Sequence, residues 1–174
     1  MTVGQETGEE GRLYAPEPLG PEHDVLAFGC GEPELDVWLK QRALKNQSSG
    51  ASRTYVIGTS RRKVVGYYCL ATGALSVEQA PGKVKRNMPD PIPVMVIGRL
   101  AVHADWQGKR LGCHLLKDAL WRILQVAEVA GIRAVMVHAM SERAKAFYLR
   151  NGFYPSPADP MTLVITLAEV KAML

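Results

Sequence analysis

The stretch "WQGKRLGCHLL", Trp106 to Leu116, sets two glycines and two cations directly before a run of helical spacing. That arrangement has a definite chemical use. A helix start presents backbone N–H groups without intrahelical acceptors and carries positive dipole charge, so it can hold an anion. Gln107, Gly108, Lys109, Arg110, Leu111 and Gly112 would place consecutive amides there. Glycine permits the tight turn and the close approach of a ligand. Arg110 is out of pattern, because a phosphate-binding turn usually has a small residue at that point. A positive φ would strain an arginine; a helical φ would leave its guanidinium to point outward, towards a ligand phosphate. Taken alone, a glycine pair of this kind is more often an ordinary strand-to-helix connection than a phosphate cradle.

Other chemistry-bearing residues are sparser. Cys30, Cys69 and Cys113 cannot all pair, and none lies in a C-x-x-C; they read as free thiols of a reducing compartment. His103, His114 and His138 lack metal-ligand spacing, so no metal is expected. Glu78, Asp90 and Asp105 read as solvated charges, and no general base is nominated. Lys83, Lys85 and Arg86 crowd a Pro-rich segment, and Arg53 follows "SSGAS". These four are the candidates for nucleic-acid phosphates, although a solvated basic surface explains any one of them equally well. The net charge of +4 and pI near 9.0 lean only weakly towards anionic partners.

The elements that must position these residues follow from the hydrophobic pattern. A chain of 174 residues, 47% hydrophobic, suits one domain with a sizeable core. Residues 1–20 are expected as a flexible tail and 21–174 as the folded domain. The tail lacks the apolar core of a signal peptide, and no apolar run approaches a membrane span, so the protein reads as cytoplasmic. Pro33 to about Lys45 is a helix with Leu35, Trp38 and Leu39 on one face, broken by "NQSSGAS". "RTYVIGT" and "KVVGYYCLATGALSV" are antiparallel strands. Glu78 to Pro93 is a loop. Val94 to Val102 is a buried strand, in which Gly98 marks a bulge or close approach. Such a bulge would free backbone groups of Leu100, Ala101 and Val102. A helix then runs from Leu111 towards Gly131, "IRAVMVHA" is a further strand, Ser141 caps a helix ended by Gly152, and "MTLVITL" is the last strand. The order gives an α/β domain with a mixed sheet flanked by helices.

"GRLAVHADWQGKRLGCHLL", followed by "IRAVMVHAMSERAKAFYLRNGF", resembles the GCN5-related N-acetyltransferase (GNAT) family. Gln107 and Gly112 match the two ends of its [Q/R]-x-x-G-x-[G/A] signature. Phe147, Tyr148, Gly152 and Phe153 match its distal motif. "LDVWLKQRALKNQSSGASRTYV", "RNMPDPIPVMVIGRLAV" and "SPADPMTL" narrow the resemblance to the toxin branch of GNAT toxin–antitoxin pairs, the TacT and KacT type.

The resemblance implies a GNAT fold, with the pyrophosphate of acetyl-CoA held by Gln107 to Gly112 and further cofactor contacts from Leu100, Ala101, Val102 and Ser141. It implies that the Tyr148 hydroxyl meets the departing thiolate; at a pKa of about 10 a tyrosine is a neutral donor at pH 7. It implies acetylation of the α-amino group of an aminoacyl-tRNA and a block to translation. The expected partners are a ribbon-helix-helix antitoxin and a second copy in a homodimer, with DNA reached, for repression, only through the antitoxin complex. An α-amine, with a pKa near 8 or lower, barely needs a base, which agrees with the absence of a compelling acid pair. The alternatives are a GNAT acting on a small amine or protein N-terminus, and a non-catalytic CoA-binding regulator disabled by Arg110.

Overall fold

The computed structural model describes residues 11–60 and 62–174. In chain order they form β1 (Glu17–Pro18), α1 (Pro33–Gln41), α2 (Ala43–Ser49), β2 (Arg53–Gly58), β3 (Val64–Leu75), α3 (Gly82–Lys85), β4 (Ile92–Val102), α4 (Leu111–Ala127), β5 (Ala134–His138), α5 (Glu142–Arg150), β6 (Tyr154–Pro155), β7 (Thr162–Thr166) and α6 (Leu167–Met173). The strands make one mixed sheet in the order β1-β2-β3-β4-β5-β7-β6. β4 and β5 run parallel, whereas β7 is antiparallel to both β5 and β6. Parallel neighbours need a crossover connection, and α4 supplies it. Among the described residues no helix is long and apolar enough to cross a membrane.

The chain divides into two compact units, and β3 and β4 each run from one into the other. The first comprises residues up to Cys69 with Arg99–Leu116. Its core gathers Phe28, Leu35, Trp38, Leu39, Val56, Tyr67 and Ala101. α1 starts at Pro33, with Glu34 and Asp36 in its first turn and Lys40 in its last, the charge order that a helix dipole favours. Leu35, Trp38 and Leu39 are its buried face, each contributing about 1.5–3 kcal/mol on burial. The Tyr67 hydroxyl on β3 donates to the Leu35 carbonyl at 2.7 Å. Burial raises its pKa, so the group stays a neutral donor.

Three expectations change here. The single helix to Lys45 is two, separated at Arg42, whose φ of −116° departs from helical geometry. α2 then runs through the expected breaker as far as Ser49, and Gly50 at φ +81° ends it. Asn and Ser are weak breakers beside Gly and Pro: Ser48 and Ser49 hydroxyls donate to the Leu44 and Asn46 carbonyls, and the helix runs on until Gly50. Of the expected tail, residues 1–10 lie outside the described residues. Glu17 and Pro18 pair with Val56 and Tyr55 of β2, and Leu13 bridges Thr59, so sheet pairing begins before residue 21.

The second unit comprises Leu70–Gly98 and Lys117–Leu174. Val94–Ile97 of β4 pair in register with Ala134–Val137 of β5. Leu75, Val84, Ile92, Val94, Met136 and Val164 are among its core residues. The segment expected as a loop from Glu78 to Pro93 holds α3 and begins β4 at Ile92. One helical turn is too short to leave a periodic signal, and buried Val84 is what fixes it. The strand "MTLVITL" is followed by α6, which the sequence reading left out. Its signal is the capping box Thr166-x-x-Glu169, with both reciprocal bonds present.

Candidate active site

The glycine-rich turn lies in the first unit, and its supports are legible residue by residue. His103 N–H donates to the Val65 carbonyl at 2.8 Å, and Ala104 N–H to the Gly29 carbonyl at 2.8 Å. The His103 ring accepts from Asp105 N–H at 3.1 Å and caps a single 3-10 turn, Ala104–Trp106. The Gln107 side-chain amide donates to the carbonyls of Cys30 at 2.8 Å and Val102 at 2.9 Å. Gln107, expected as a cofactor contact, thus uses its side chain to brace the turn against the end of β4. The Val102 carbonyl is correspondingly engaged.

Gly108 has φ +76° and Arg110 φ +62°. Lys109 between them has no positive φ. Such alternation turns successive amides towards one side, making an anion-binding nest. The first helical bond of α4 runs from His114 N–H to the Arg110 carbonyl at 3.2 Å. The amides of Leu111, Gly112 and Cys113 are therefore left without intrahelical acceptors. Lys109 Nζ lies 4.8 Å from the Trp106 ring centroid. Lys109 and Arg110 are both exposed. These groups fit a pyrophosphate: a row of donors, a helix N-terminus and two cations. The φ of Arg110 is the strained alternative of the two open to it, at about 1–2 kcal/mol relative to the right-handed region.

The strand leading to the turn changes character at Gly98. The ladder between β4 and β5 covers Val94–Ile97 and stops there, although β4 continues to Val102. Within the first unit, Ala101 is buried and Leu100 and Val102 are half-buried. Gly66 of β3 makes room beside this strand: a Cβ on it would come within 2.9 Å of a Leu115 methyl and 3.4 Å of the Ala101 carbonyl.

Tyr148 lies on α5 in the second unit. The Ser141 hydroxyl accepts from Ala144 N–H at 3.1 Å and is the helix N-cap. One lone pair of that oxygen thus serves the helix, while its O–H remains a donor. At the other end Gly152 adopts φ +93°, which reverses the chain so that Phe153 N–H reaches the Tyr148 carbonyl at 3.1 Å. The reversal brings the Phe153 ring to 5.4 Å from that of Tyr148, edge-on, while Phe147 lies 5.2 Å away. The motif "FYLRNGF" is therefore a device that locks the Tyr148 ring, which is buried.

The basic candidates divide. Arg53, in the first unit, is exposed and donates to the Gln47 carbonyl at 2.9 Å. In the second unit, Lys83 lies 3.4 Å from Glu169 and 5.6 Å from the Tyr154 ring. Glu169 also accepts from Tyr154 at 2.8 Å and from Thr166. Burial alone would raise the Glu169 pKa, but these bonds outweigh it and hold the carboxyl below its ordinary range. Lys83 is thereby tied into the fold, whereas Lys85 and Arg86 are exposed and their side chains have no hydrogen bond or ion pair among the described residues. Glu78, Asp90 and Asp105 are exposed, and Asp90 accepts from Val77 N–H. No cluster among the described residues could hold a metal ion. The stacking of Arg99 on Trp38, 4.4 Å from guanidinium carbon to ring centroid, is the feature that sequence reading missed. Nothing in the spacing of residues 38 and 99 announces it.

Comparison with known proteins agrees with this geometry. The model of the acetyltransferase (GNAT) domain matches residues 51–155. The chain is 45% identical over 160 residues to the tRNA-acetylating toxin of Mycobacterium tuberculosis (strain ATCC 25618 / H37Rv), covering 92% of this chain and 96% of that one. AtaT complexed with acetyl-methionyl-tRNAfMet superimposes with a TM-score of 0.86 at 26% identity, covering 93% of this chain and 99% of the other. A tyrosine-to-phenylalanine mutant of the AtaT toxin, bound to the C-terminus of the antitoxin AtaR and acetyl-CoA, gives a TM-score of 0.80 at 25% identity, covering 94% and 98%. A domain match over most of the chain and a relative at this identity over nearly its full length leave one assignment: the chain belongs to the GNAT family of acetyltransferases.

Proposed function

We propose that this acetyltransferase moves an acetyl group from acetyl-CoA to the α-amino group of an aminoacyl-tRNA, and so blocks translation. The observation that carries the substrate is the near full-length match to a toxin that acetylates tRNA. The turn from Gln107 to Cys113 supports the donor. Acetyl-CoA, when bound, supplies an activated thioester. The amides of Gly108 to Cys113 hold its pyrophosphate, and Lys109 and Arg110 neutralise it. A main-chain N–H of the segment Leu100 to Val102 receives the acetyl carbonyl as charge develops on its oxygen; a preorganised donor of this kind is typically worth about 2.7–4 kcal/mol. The Tyr148 hydroxyl donates its proton to the departing sulfur. The attacking α-amine needs no strong base, since with a pKa near 8 about a tenth of it is already neutral at pH 7; the proton it loses once the N–C bond forms passes through water and restores the one Tyr148 gave to the sulfur. Arg53, Lys85 and Arg86 take RNA phosphates, and Lys83 positions the segment that bears the last two.

As a toxin of this kind the chain acts in the cytoplasm, as a homodimer, neutralised by a ribbon-helix-helix antitoxin through which alone it meets DNA. Incubation with labelled acetyl-CoA and either charged or deacylated tRNA tests the central claim. Label is expected in charged tRNA, on the amino acid. Label that enters a free amine or a peptide N-terminus but never charged tRNA would overturn it.

A further inference from the structure

The first unit holds an arginine that the chemistry above does not use. Arg99 is half-buried on β4, immediately before the segment assigned to the acetyl carbonyl. Its guanidinium carbon lies 4.4 Å from the Trp38 ring centroid. Trp38 in turn stacks on Tyr67 at 5.9 Å and an interplanar angle of 11°. Among the described residues no carboxylate, carbonyl or hydroxyl accepts from that guanidinium. Its nitrogens are not among the buried polar atoms that lack a partner, so they stay open to solvent and to a ligand. Stacking on an aromatic face fixes the fork yet leaves the in-plane N–H groups for an anion, and it lowers the entropy lost when one binds.

The surroundings indicate what kind of anion. From Val37 to Val77 the chain contains no aspartate or glutamate. Trp38 belongs to α1, and Lys40 of α1, Arg42 between the two helices and Lys45 of α2 follow it. All three are exposed, and none has a side-chain hydrogen bond or ion pair among the described residues. The acids of α1 sit at its other end, Glu34 and Asp36 in the first turn. A run of unpaired cations of one sign is suited to several phosphates in succession rather than to one small anion.

We infer that Arg99, together with Lys40, Arg42 and Lys45, forms a contact surface for the acceptor-stem phosphates of the tRNA, with Arg99 taking the phosphate nearest the aminoacyl end. This rests on the tRNA reading above. Arg99 is a substrate-binding residue here, and Trp38 and Tyr67 position it.

Binding of deacylated tRNA across a salt series, with acetyl-CoA calorimetry and steady-state kinetics on charged tRNA, tests it. The triple variant Lys40→Gln, Arg42→Gln, Lys45→Gln should lower the slope of log K against log salt by about 2, and removing one charge elsewhere, Arg150→Gln, should not. Arg99→Gln should raise the KM for charged tRNA roughly 10-fold while kcat at saturating tRNA changes little, the loss expected for one charge-assisted contact. Arg99→Lys should fall between, since it keeps the charge and loses the fork, and it decides the matter if Arg99→Gln fails to fold. Acetyl-CoA affinity should hold in all of them. Weakened acetyl-CoA binding with an unchanged tRNA slope and KM would make Arg99 a cofactor contact and overturn the inference, as would variants that bind both ligands like the wild type. If the wild type leaves charged tRNA unmodified yet shows the cation-dependent slope, the proposed reaction fails and this surface stands.

Discussion

Two of the helix boundaries in this molecule are made by left-handed residues that stand there for opposite reasons. Gly152 ends α5 at φ +93°, and Arg110 precedes α4 at φ +62°. At Gly152 the surroundings explain the residue: a Cβ would meet the Met173 sulfur at 3.2 Å and an Ile165 methyl at 3.5 Å. Glycine stands there because packing and dihedral both require it. At Arg110 the side chain is exposed and the strain is not relieved by a glycine. A strained residue that the fold does not need points to a role for its side chain or its backbone, and it is the one that turns a row of amides outward. One left-handed residue thus serves a hydrophobic lock around Tyr148, and the other turns out the row of amides proposed above to hold the pyrophosphate.

The largest test of this contrast is Tyr148→Phe. It keeps the ring that Phe147 and Phe153 hold and removes only the hydroxyl. Transfer to charged tRNA should fall by roughly 100-fold or more, the usual worth of a positioned proton donor, with acetyl-CoA affinity and melting temperature unchanged. Loss of cofactor binding or of stability would make Tyr148 part of the lock alone. Next comes Gly152→Ala, expected to destabilise the protein by about 1–3 kcal/mol through the dihedral and the Met173 contact, read by chemical denaturation. An unchanged midpoint would mean that the reversal after α5 is not what holds Phe153 in place.

Arg110→Gly should act in the reverse sense. Stability should rise by up to about 1 kcal/mol as the strain goes, while acetyl-CoA binds a few-fold more weakly for want of the cation. Tighter binding of acetyl-CoA by the variant would show that the cradle uses backbone only. Cysteine labelling gives a smaller effect in the same turn. Cys113 is exposed in the first turn of α4, whereas burial and Asp36 push the half-buried Cys30 thiol up to about 11. A maleimide should therefore modify Cys113 first, and acetyl-CoA should slow that reaction. The smallest effect concerns α6, which carries Met173 to the Gly152 turn. Glu169 holds its start with a carboxyl lowered below the ordinary range. That contribution is present above the ordinary carboxylate pKa and is lost as pH falls through the lower folded value. Melting curves of the wild type should drop more on acidification than those of Glu169→Gln.

Much of this was legible beforehand where local rules and tertiary needs agree. Pro33 with its acids, the Ser141 cap, the Gly152 stop and the β4-α4-β5 order rest on interactions within a few residues or on simple periodicity. The misses have a common cause. α3 is one turn, and only the burial of Val84 makes it stable. The continuation of α2 past Lys45 is tied to β2, where the Arg53 side chain donates to the Gln47 carbonyl and Thr54 N–H to the Gln47 side chain. β1 exists because β2 offers an edge to pair with. In each case the deciding partner is another element, or a bond that propensity does not count.

The site divides in the same way. The sequence by itself determined the glycine-rich turn, the helix that opens after it and the aromatic motif around Tyr148, because spacing along one backbone dictates them. Only the tertiary structure decided that Arg110 is left-handed, that Gln107 spends its side chain on Cys30 and Val102, that Lys83 is held by Glu169, and that Arg99 rests on Trp38 with its donors unspent. Those outcomes depend on which side chains the sheet brings together from residues far apart in the chain. Whether a cation there finds an acid, a carbonyl or an aromatic face is settled by packing.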